Sequence, residues 1–484
     1  MNYQRGVIFL TIGWAFNLLI GYFYQIWLVH HLNQAVYGDY MLVISILVWV
    51  EILVMYGIPY SVQKFIPAQE KASGSIFRIA IRLQLVASVG LCLAGLALAP
   101  VIAHVLRDGA LTGALRIAFL DVLLFGLYNV FIGYFNGKKE FAHQAVLMIL
   151  FAFARLVIGA FLVTWKPGVI TAVLANHFAA CAALAVGYLI KKKDESLVFD
   201  KTREFILYAI PSVNYFLILH LFFNIDLWMV KYFLGSESVA VYGVSSTLAK
   251  MIFYLLFSIS GALLPTLSAF ISKNAIDETR ETIRQALRIL LMFSMPVAAL
   301  MSLHSEPLIV FLFGESYAGG APILSVLIWN MTLLSFVFLF TTILNADHKP
   351  KQSFILVTIS ICLAFAGNAI FIPKAGALGA AWSMFGSLVV GVALTFIPVF
   401  RRFHIGMQIL SFIRITAASL ILLPLSVWLV RLGWHFLLVF CLAAGLYFIL
   451  LFIIREITIA EVKEMVRGNF IQVGEASPIR GNGV

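Results

Sequence analysis

The sequence predicts an all-α polytopic membrane protein with about 14 transmembrane helices, arranged as two six-helix lobes in parallel repeat plus two C-terminal helices. Three observations carry this. The first is composition: 62% of the 484 residues are hydrophobic, 14% aromatic and 11% charged, with a mean hydropathy of +1.01, against roughly 45–50% apolar and about 25% charged in soluble domains. The second is the length of the apolar runs, which suits helices of about 20 residues crossing roughly 30 Å of hydrocarbon and lacks the alternation of a membrane β-barrel. The third is an internal repeat. Tyr37-Gly38 recurs as Tyr242-Gly243, Pro59 as Pro265, Asn136 as Asn345, and Arg78, Ala80 and Arg82 as Arg284, Ala286 and Arg288, in one order and at an offset drifting from 205 to 209. Such a series is the signature of a duplication.

In chain order the candidate spans lie near 7–29, 40–62, 83–104, 117–135, 145–164, 168–190, 205–232, 240–265, 289–312, 322–345, 353–372, 377–399, 409–430 and 434–454. The first is longer than the apolar core of a signal peptide, about 7–15 residues, and no small-x-small site follows it, so the mature protein is expected to keep it. Residues 1–190 form the N-lobe (spans 1–6) and 205–403 the C-lobe (spans 7–12). Residues 191–204 form a cytoplasmic linker; within it KKKDESLVFDKTR, 191–203, has 8 charged positions of 13. Spans 13 and 14 (404–455) stand outside the duplication, and 456–484 is a cytoplasmic tail. Each copy holds an even number of spans, so both copies share one orientation and an axis along the membrane normal relates them.

Loop charge sets the orientation, because cytoplasmic loops hold the excess of Lys and Arg. With the N-terminus inside, 24 of the 33 basic residues fall on the cytoplasmic side, and only Arg155, Lys250 and Arg414 fall within spans. Both termini are therefore expected in the cytoplasm, with residues 196 and 349 inside and 35, 237 and 316 outside. The net charge of +11 is divided among many loops beside anionic lipid headgroups, which argues for membrane lipids as partners and against nucleic acid. Cys92, Cys181, Cys362 and Cys441 lie in apolar spans without CxxC spacing and read as small core residues. No metal, disulfide or cofactor is expected. DETRETIRQALR, 277–288, reads as a cytoplasmic helix lying at the interface, with acids in its first turn. EVKEMVRG after Arg455 reads as a short surface helix, and the last dozen residues as disordered.

Functional candidates are the side chains that do not belong in lipid, since an ionisable group within a span normally faces a bundle interior or an aqueous cavity. At about 1.5 Å per residue, Glu51, His220 and Lys250 fall near the midplane and Arg155 close to it, while Asp226 and then Lys231 approach the outer rim. Asn17, Gln25, Asn214 and Asn224 are polar companions. Each also has a structural reading: His220 as a hydrogen-bonded core histidine, Arg155 as a helix lock, Asp226 with Lys231 as a snorkelling interfacial pair. None of the charges is duplicated in the other copy, where Leu256 or Phe257 corresponds to Glu51 and Ile44 or Ser45 to Lys250. This favours a substrate or ion site added to a duplicated scaffold.

HLNQAVYGDY (31–40), NIDLWMVKYFLGSESVAVYGVSSTL (224–248), LLPTLSAF (263–270), LFGESYAGGAPIL (312–324) and IPKAGALGAAWSM (372–384) resemble recurrent elements of bacterial and archaeal polysaccharide-export flippases. These belong to the multidrug/oligosaccharidyl-lipid/polysaccharide exporter superfamily, and the resemblance covers nearly the whole chain. It implies two lobes around a cavity that opens alternately to either side, lined by spans 1, 2, 7 and 8. It also implies a transporter, not an enzyme, flipping a polyprenyl-pyrophosphate-linked oligosaccharide to the outer leaflet of the cytoplasmic membrane, with other polysaccharide-assembly proteins as further partners. In that setting Lys250 and Arg155 compensate pyrophosphate charge, while Asn17, Tyr24 and Asn214 replace water on sugar hydroxyls. Glu51, His220 and Asp226 are candidates for coupling to H+ or Na+. An ion-coupled drug or metabolite exporter of the same superfamily is the alternative. A lipid-linked glycan polymerase or ligase would be expected to carry a substantial outer domain, whereas the outer loops here are about ten residues or shorter; no phosphate-binding glycine motif or nucleophile elbow is present.

Overall fold

The computed structural model describes residues 3–192, 194, 197–406, 409–458 and 461, with side chains from residue 9 onward except those of 211, 212, 214, 215 and 258–262. Among these residues 13 helices are long and apolar enough to cross a membrane, and no strand is present. One of them, of 54 residues, is two spans joined at a kink, which recovers the expected fourteen. The chain divides into two compact units, Met1–Gly243 and Val244–Val484.

The first unit contains α1 (Tyr3–His31), α2 (Gln34–Met55), α3 (Ile58–Ala68), α4 (Ser73–Val105), α5 (Leu111–Gly137), α6 (Phe141–Trp165), α7 (Val169–Ile190), α8 (Thr202–Leu234) and the start of α9 (Ser236–Ser272). The second expected span is broken: α2 ends before Gly57, and Pro59 stands in the first turn of α3, where its missing N–H costs nothing and its ring forbids an uninterrupted helix. Asn33 caps α2 by accepting a hydrogen bond from Val36 N at 2.8 Å. α5 is the axis of the unit and packs against α2, α3, α4, α6 and α7. Its close approach to α3 depends on Gly133, where a Cβ would stand 2.6 Å from the Pro59 carbonyl oxygen, the usual role of small residues between membrane helices.

The linker is tied to this unit. Asp194 accepts hydrogen bonds from Tyr134 (2.5 Å) and Lys191 (3.1 Å) and pairs with Lys138 at 3.2 Å. Leu197 N donates to Lys71 O at 3.2 Å, and Phe199 enters the core beside Phe65 and Phe205.

The second unit continues α9 and adds α10 (Ile276–Leu303), α11 (Ser305–Phe313), α12 (Ala321–Ala346), α13 (Pro350–Phe403), α14 (Ile409–Arg431) and α15 (Phe436–Ile453). α12 is the buried axis here, packed on α10 and α13, while α14 joins α10 and α15. Ala375 and Gly376 break the helical geometry of α13, Gly376 at φ +62°, a conformation that glycine adopts without steric cost. Residues 277–288 are not a separate interfacial helix. They are the first turns of α10, continuous with the span that follows, because nothing between Ile276 and Leu303 interrupts the backbone ladder until Pro296, whose helix carries on. Arg288 then reaches the segment that follows α15, donating to the Glu456 carbonyl and pairing with Glu456 (3.0 Å) and Glu461 (3.1 Å). Most of the EVKEMVRG stretch and the whole terminal dozen lie outside the described residues.

The repeat has physical content in both units. Ala80 on α4 and Ala286 on α10 are each fully buried, whereas the flanking Arg78 and Arg82 are exposed and Arg284 and Arg288 half-exposed.

Candidate functional site

A buried polar cluster lies inside the first unit. Glu51 on α2 is 7% exposed and Asp121 on α5 is 1% exposed, and the two carboxyls lie within electrostatic reach of one another. His177 on α7 places Nδ1 3.7 Å from Asp121 Oδ1; its ring nitrogens also face Val173 O at 3.2 Å and Ile117 O at 2.9 Å. Arg155 on α6 acts electrostatically on both carboxyls. Its guanidinium lies 5.5 Å from the Tyr24 ring and 5.9 Å from that of Phe151, within cation–π range. Four helices thus contribute two acids and two bases to one desolvated space.

The supporting residues are packed tightly. Tyr24 on α1 is 1% exposed, its hydroxyl donates to Ala172 O at 3.2 Å, and its ring lies on Gly159, where a Cβ would approach to 2.5 Å. Above the cluster α2 is hydrogen-bonded to α8: Trp49 Nε1 donates to Leu217 O (3.3 Å) and Trp228 Nε1 to Ser45 Oγ (2.8 Å).

A second cluster closes the other end of α8. Lys231, its side chain 3% exposed, donates to Asp39 (2.9 Å), Asp108 (2.7 Å) and Ser236 (2.5 Å), and Ser236 Oγ donates to Asp39 at 2.6 Å. Arg107 donates to Tyr232 Oη at 2.8 Å. Asp226 and Lys231 are therefore not a snorkelling pair. Residues five apart face different sides of a helix, so Asp226 instead accepts from Tyr242 Oη and from Leu227 N (2.8 Å). Gly38 makes this end possible, since a Cβ there would lie 1.9 Å from the Ser236 carbonyl oxygen.

Of the residues singled out from sequence, Glu51, Arg155 and Tyr24 come together. His220 on α8 stands edge-on to Phe223 at 5.4 Å, and its carbonyl accepts from Asn224 at 3.1 Å. Asn17 is half-buried on α1, and Lys250 is half-buried on α9 in the second unit. The side chain of Asn214 lies outside the described residues. Asp121, His177, Asp39 and Asp108 were not singled out. Asp121 and His177 were within reach of the rule that exposed Glu51, an ionisable side chain in an apolar run. No group of three or more His, Cys, Asp or Glu able to hold a metal occurs among the described residues.

A family model described as polysaccharide biosynthesis protein matches residues 3–271, and the MatE model matches residues 211–370. An uncharacterized membrane protein of Methanocaldococcus jannaschii is 24% identical over 284 residues, covering 57% of this chain and 56% of that protein, so the chain spans about half the length of this relative. The fold is similar to that of the lipid II flippase MurJ in its inward closed conformation, with a TM-score of 0.73 and 16% identity over 93% of this chain and 99% of that one. It is also similar to an inward-facing multidrug resistance MATE family transporter of the MOP superfamily (TM-score 0.68, 16% identity, 82% and 98% covered) and to a MOP superfamily transporter from Pyrococcus furiosus (TM-score 0.63, 16% identity, 84% and 96% covered).

Proposed function

Because the chain belongs to the polysaccharide biosynthesis protein family, matching its model over residues 3–271, we propose that it flips a polyprenyl-pyrophosphate-linked oligosaccharide to the outer leaflet of the cytoplasmic membrane by alternating access. The observation that carries this reading is a fold shared along 93% of the chain with a lipid II flippase. The obstacle to such a reaction is the charged, hydrated head, which does not cross hydrocarbon unassisted. Lys250 answers it, as a cation on an apolar span with no counterpart in the other copy of the repeat. Asn17 and Asn214 serve the sugar hydroxyls, and Arg155 is a further positive charge reached through Tyr24. Glu51 couples the cycle to an ion gradient, with His220 and Asp226 as further candidates, and both termini are cytoplasmic.

Reconstitution in proteoliposomes with a fluorescent polyprenyl-pyrophosphate oligosaccharide tests this. Lys250→Ala should abolish flipping with the protein still inserted, and Lys250→Arg should retain part of it. Normal flipping by the alanine variant removes Lys250 from the substrate path. The MatE match at 211–370 favours one rival, an exporter of drugs or metabolites, which would be supported by efflux of organic cations from the same vesicles without lipid-linked glycan.

A further inference from the structure

α4 and α10 are the same element in the two copies of the repeat, since Arg78, Ala80 and Arg82 correspond to Arg284, Ala286 and Arg288. At the same offset Ser88 and Ser294 also coincide, and both are fully buried. One face of α10 is covered by the last two spans. Met292 is 1% exposed and lies in one core cluster with Ile415 and Leu422 of α14 and Tyr447 and Leu451 of α15, and Tyr447 Oη donates to its carbonyl at 2.8 Å. At the N-terminal end of that face Arg288 is held by Glu456 and Glu461.

The corresponding face of α4 has no such cover. Val86, at the position of Met292, is 73% exposed, and Val89 and Leu93 are exposed with it. Spaced three and four residues apart, they continue the line of Arg78 and Arg82 along one side of the helix.

We infer that this face of α4 binds an anionic phospholipid, with the phosphodiester on Arg78 and Arg82 and an acyl chain along Val86, Val89 and Leu93. A lipid would then do for the first unit what α14, α15 and two glutamates do for the second. A guanidinium presents its donors in a fork that matches phosphate oxygens. Both arginines are exposed, and neither makes a hydrogen bond or ion pair among the described residues. The linker carboxylate at this end of α4 is already engaged, because Asp194 accepts from Tyr134 and Lys191 and pairs with Lys138. Lys191 itself lies 4.8 Å from the ring of Phe77, the residue before Arg78. These lysines add to a positive field that attracts an anionic headgroup and leaves a zwitterionic one indifferent.

The dimensions agree with a lipid. At about 1.5 Å per residue, Arg82 and Leu93 stand about 16 Å apart along the helix axis, close to half of a hydrocarbon core of roughly 30 Å. A second copy of the chain does not suit this face. A two-fold axis along the membrane normal would set Arg78 and Arg82 against their own counterparts, and like charges repel.

Native mass spectrometry of the purified full chain, titrated in detergent with phosphatidylglycerol or with phosphatidylcholine, tests this. Arg78→Gln/Arg82→Gln should weaken binding of the first phosphatidylglycerol about 30-fold and leave phosphatidylcholine unchanged. Arg78→Lys/Arg82→Lys should recover part of the loss, because charge remains while the fork is gone. Neutralising two exposed lysines of the second unit, Lys273→Gln/Lys351→Gln, should change neither lipid. Equal affinity of the unmodified chain for the two lipids, an unaltered affinity in the arginine-to-glutamine variant, or a loss as large in the lysine variant overturns the proposal. A helix of another protein is the competing occupant. In native membranes, a stoichiometric cross-link from Val86→Cys to a second polypeptide, in a chain freed of its four cysteines, would overturn it as well.

Discussion

Lys231 Nζ lies 2.7 Å from Asp108 Oδ2, with the lysine side chain almost wholly enclosed. The two residues are 123 positions apart, and Asp39, the second carboxylate on the same ammonium, comes from α2. One cation thus fastens the start of α2, the loop that follows α4 and the end of α8. An enclosed charge that loses a partner is costly, about 3–5 kcal/mol when fully buried. Here the remaining carboxylate moderates the loss, so Asp39→Asn and Asp108→Asn should each destabilise the detergent-solubilised protein by about 1–3 kcal/mol, and the double variant by more than their sum. Thermal unfolding of the two single variants and the double variant measures this; strict additivity would show that the carboxylates do not share the lysine.

The linker predicts a dependence on acid. Burial alone would raise the Asp194 carboxyl, but hydrogen bonds from Tyr134, Lys191 and Lys138 outweigh it and hold the group below the ordinary carboxylate value. A group whose folded value is depressed stabilises the folded state above its unfolded value, near about 3.9, and the contribution is lost as pH falls through the folded value. The linker anchor should therefore be intact at neutral pH and released below about pH 4. Asp194→Asn should mimic release at neutral pH, seen as faster tryptic cleavage after the linker lysines in inside-out vesicles. Equal cleavage of the variant and the unmodified protein would contradict it.

Packing around Tyr24 makes a third expectation. Gly159→Ala places a methyl 2.5 Å from the Tyr24 ring, and overpacking of this kind costs about 1–3 kcal/mol. The melting temperature should fall, and Tyr24→Leu in the same chain should restore part of it by removing the hydroxyl end of the clash. No recovery in the double variant would place the strain elsewhere.

Orientation is tested by labelling single cysteines in intact cells and in inverted vesicles after removing the native four. Position 349 should react only from the cytoplasmic face, and positions 35, 237 and 316 only from outside. Reaction of 349 in intact cells would invert the assignment.

Element types were legible because hydrocarbon leaves the backbone few choices, and the kink in α13 falls between the two spans read from the sequence, at a glycine. Residues 277–288 show the limit: their charges suggested a surface helix, yet charge does not end a helix and no breaker does so there. The site was half legible. Glu51 stood out as a carboxylate in mid-span, but Asp121 sat close to a span start placed at 117, whereas the helix begins at Leu111 and puts it about 15 Å along. Lys231 was visible as a charge; its partners, 192 and 123 residues away, were not, because nothing local encodes which loop a side chain will meet.

The repeated Tyr-Gly pairs carry a consequence for how the fold assembles. Gly38 lies against Ser236 and Ala240, and Gly243 lies against Met41, so each Tyr-Gly pair packs on the helix that carries the other. A surface that meets a copy of itself is the contact of a two-fold homodimer. In a chain where both pairs are covalently linked, that contact forms at a fixed effective concentration and does not depend on how much protein is present.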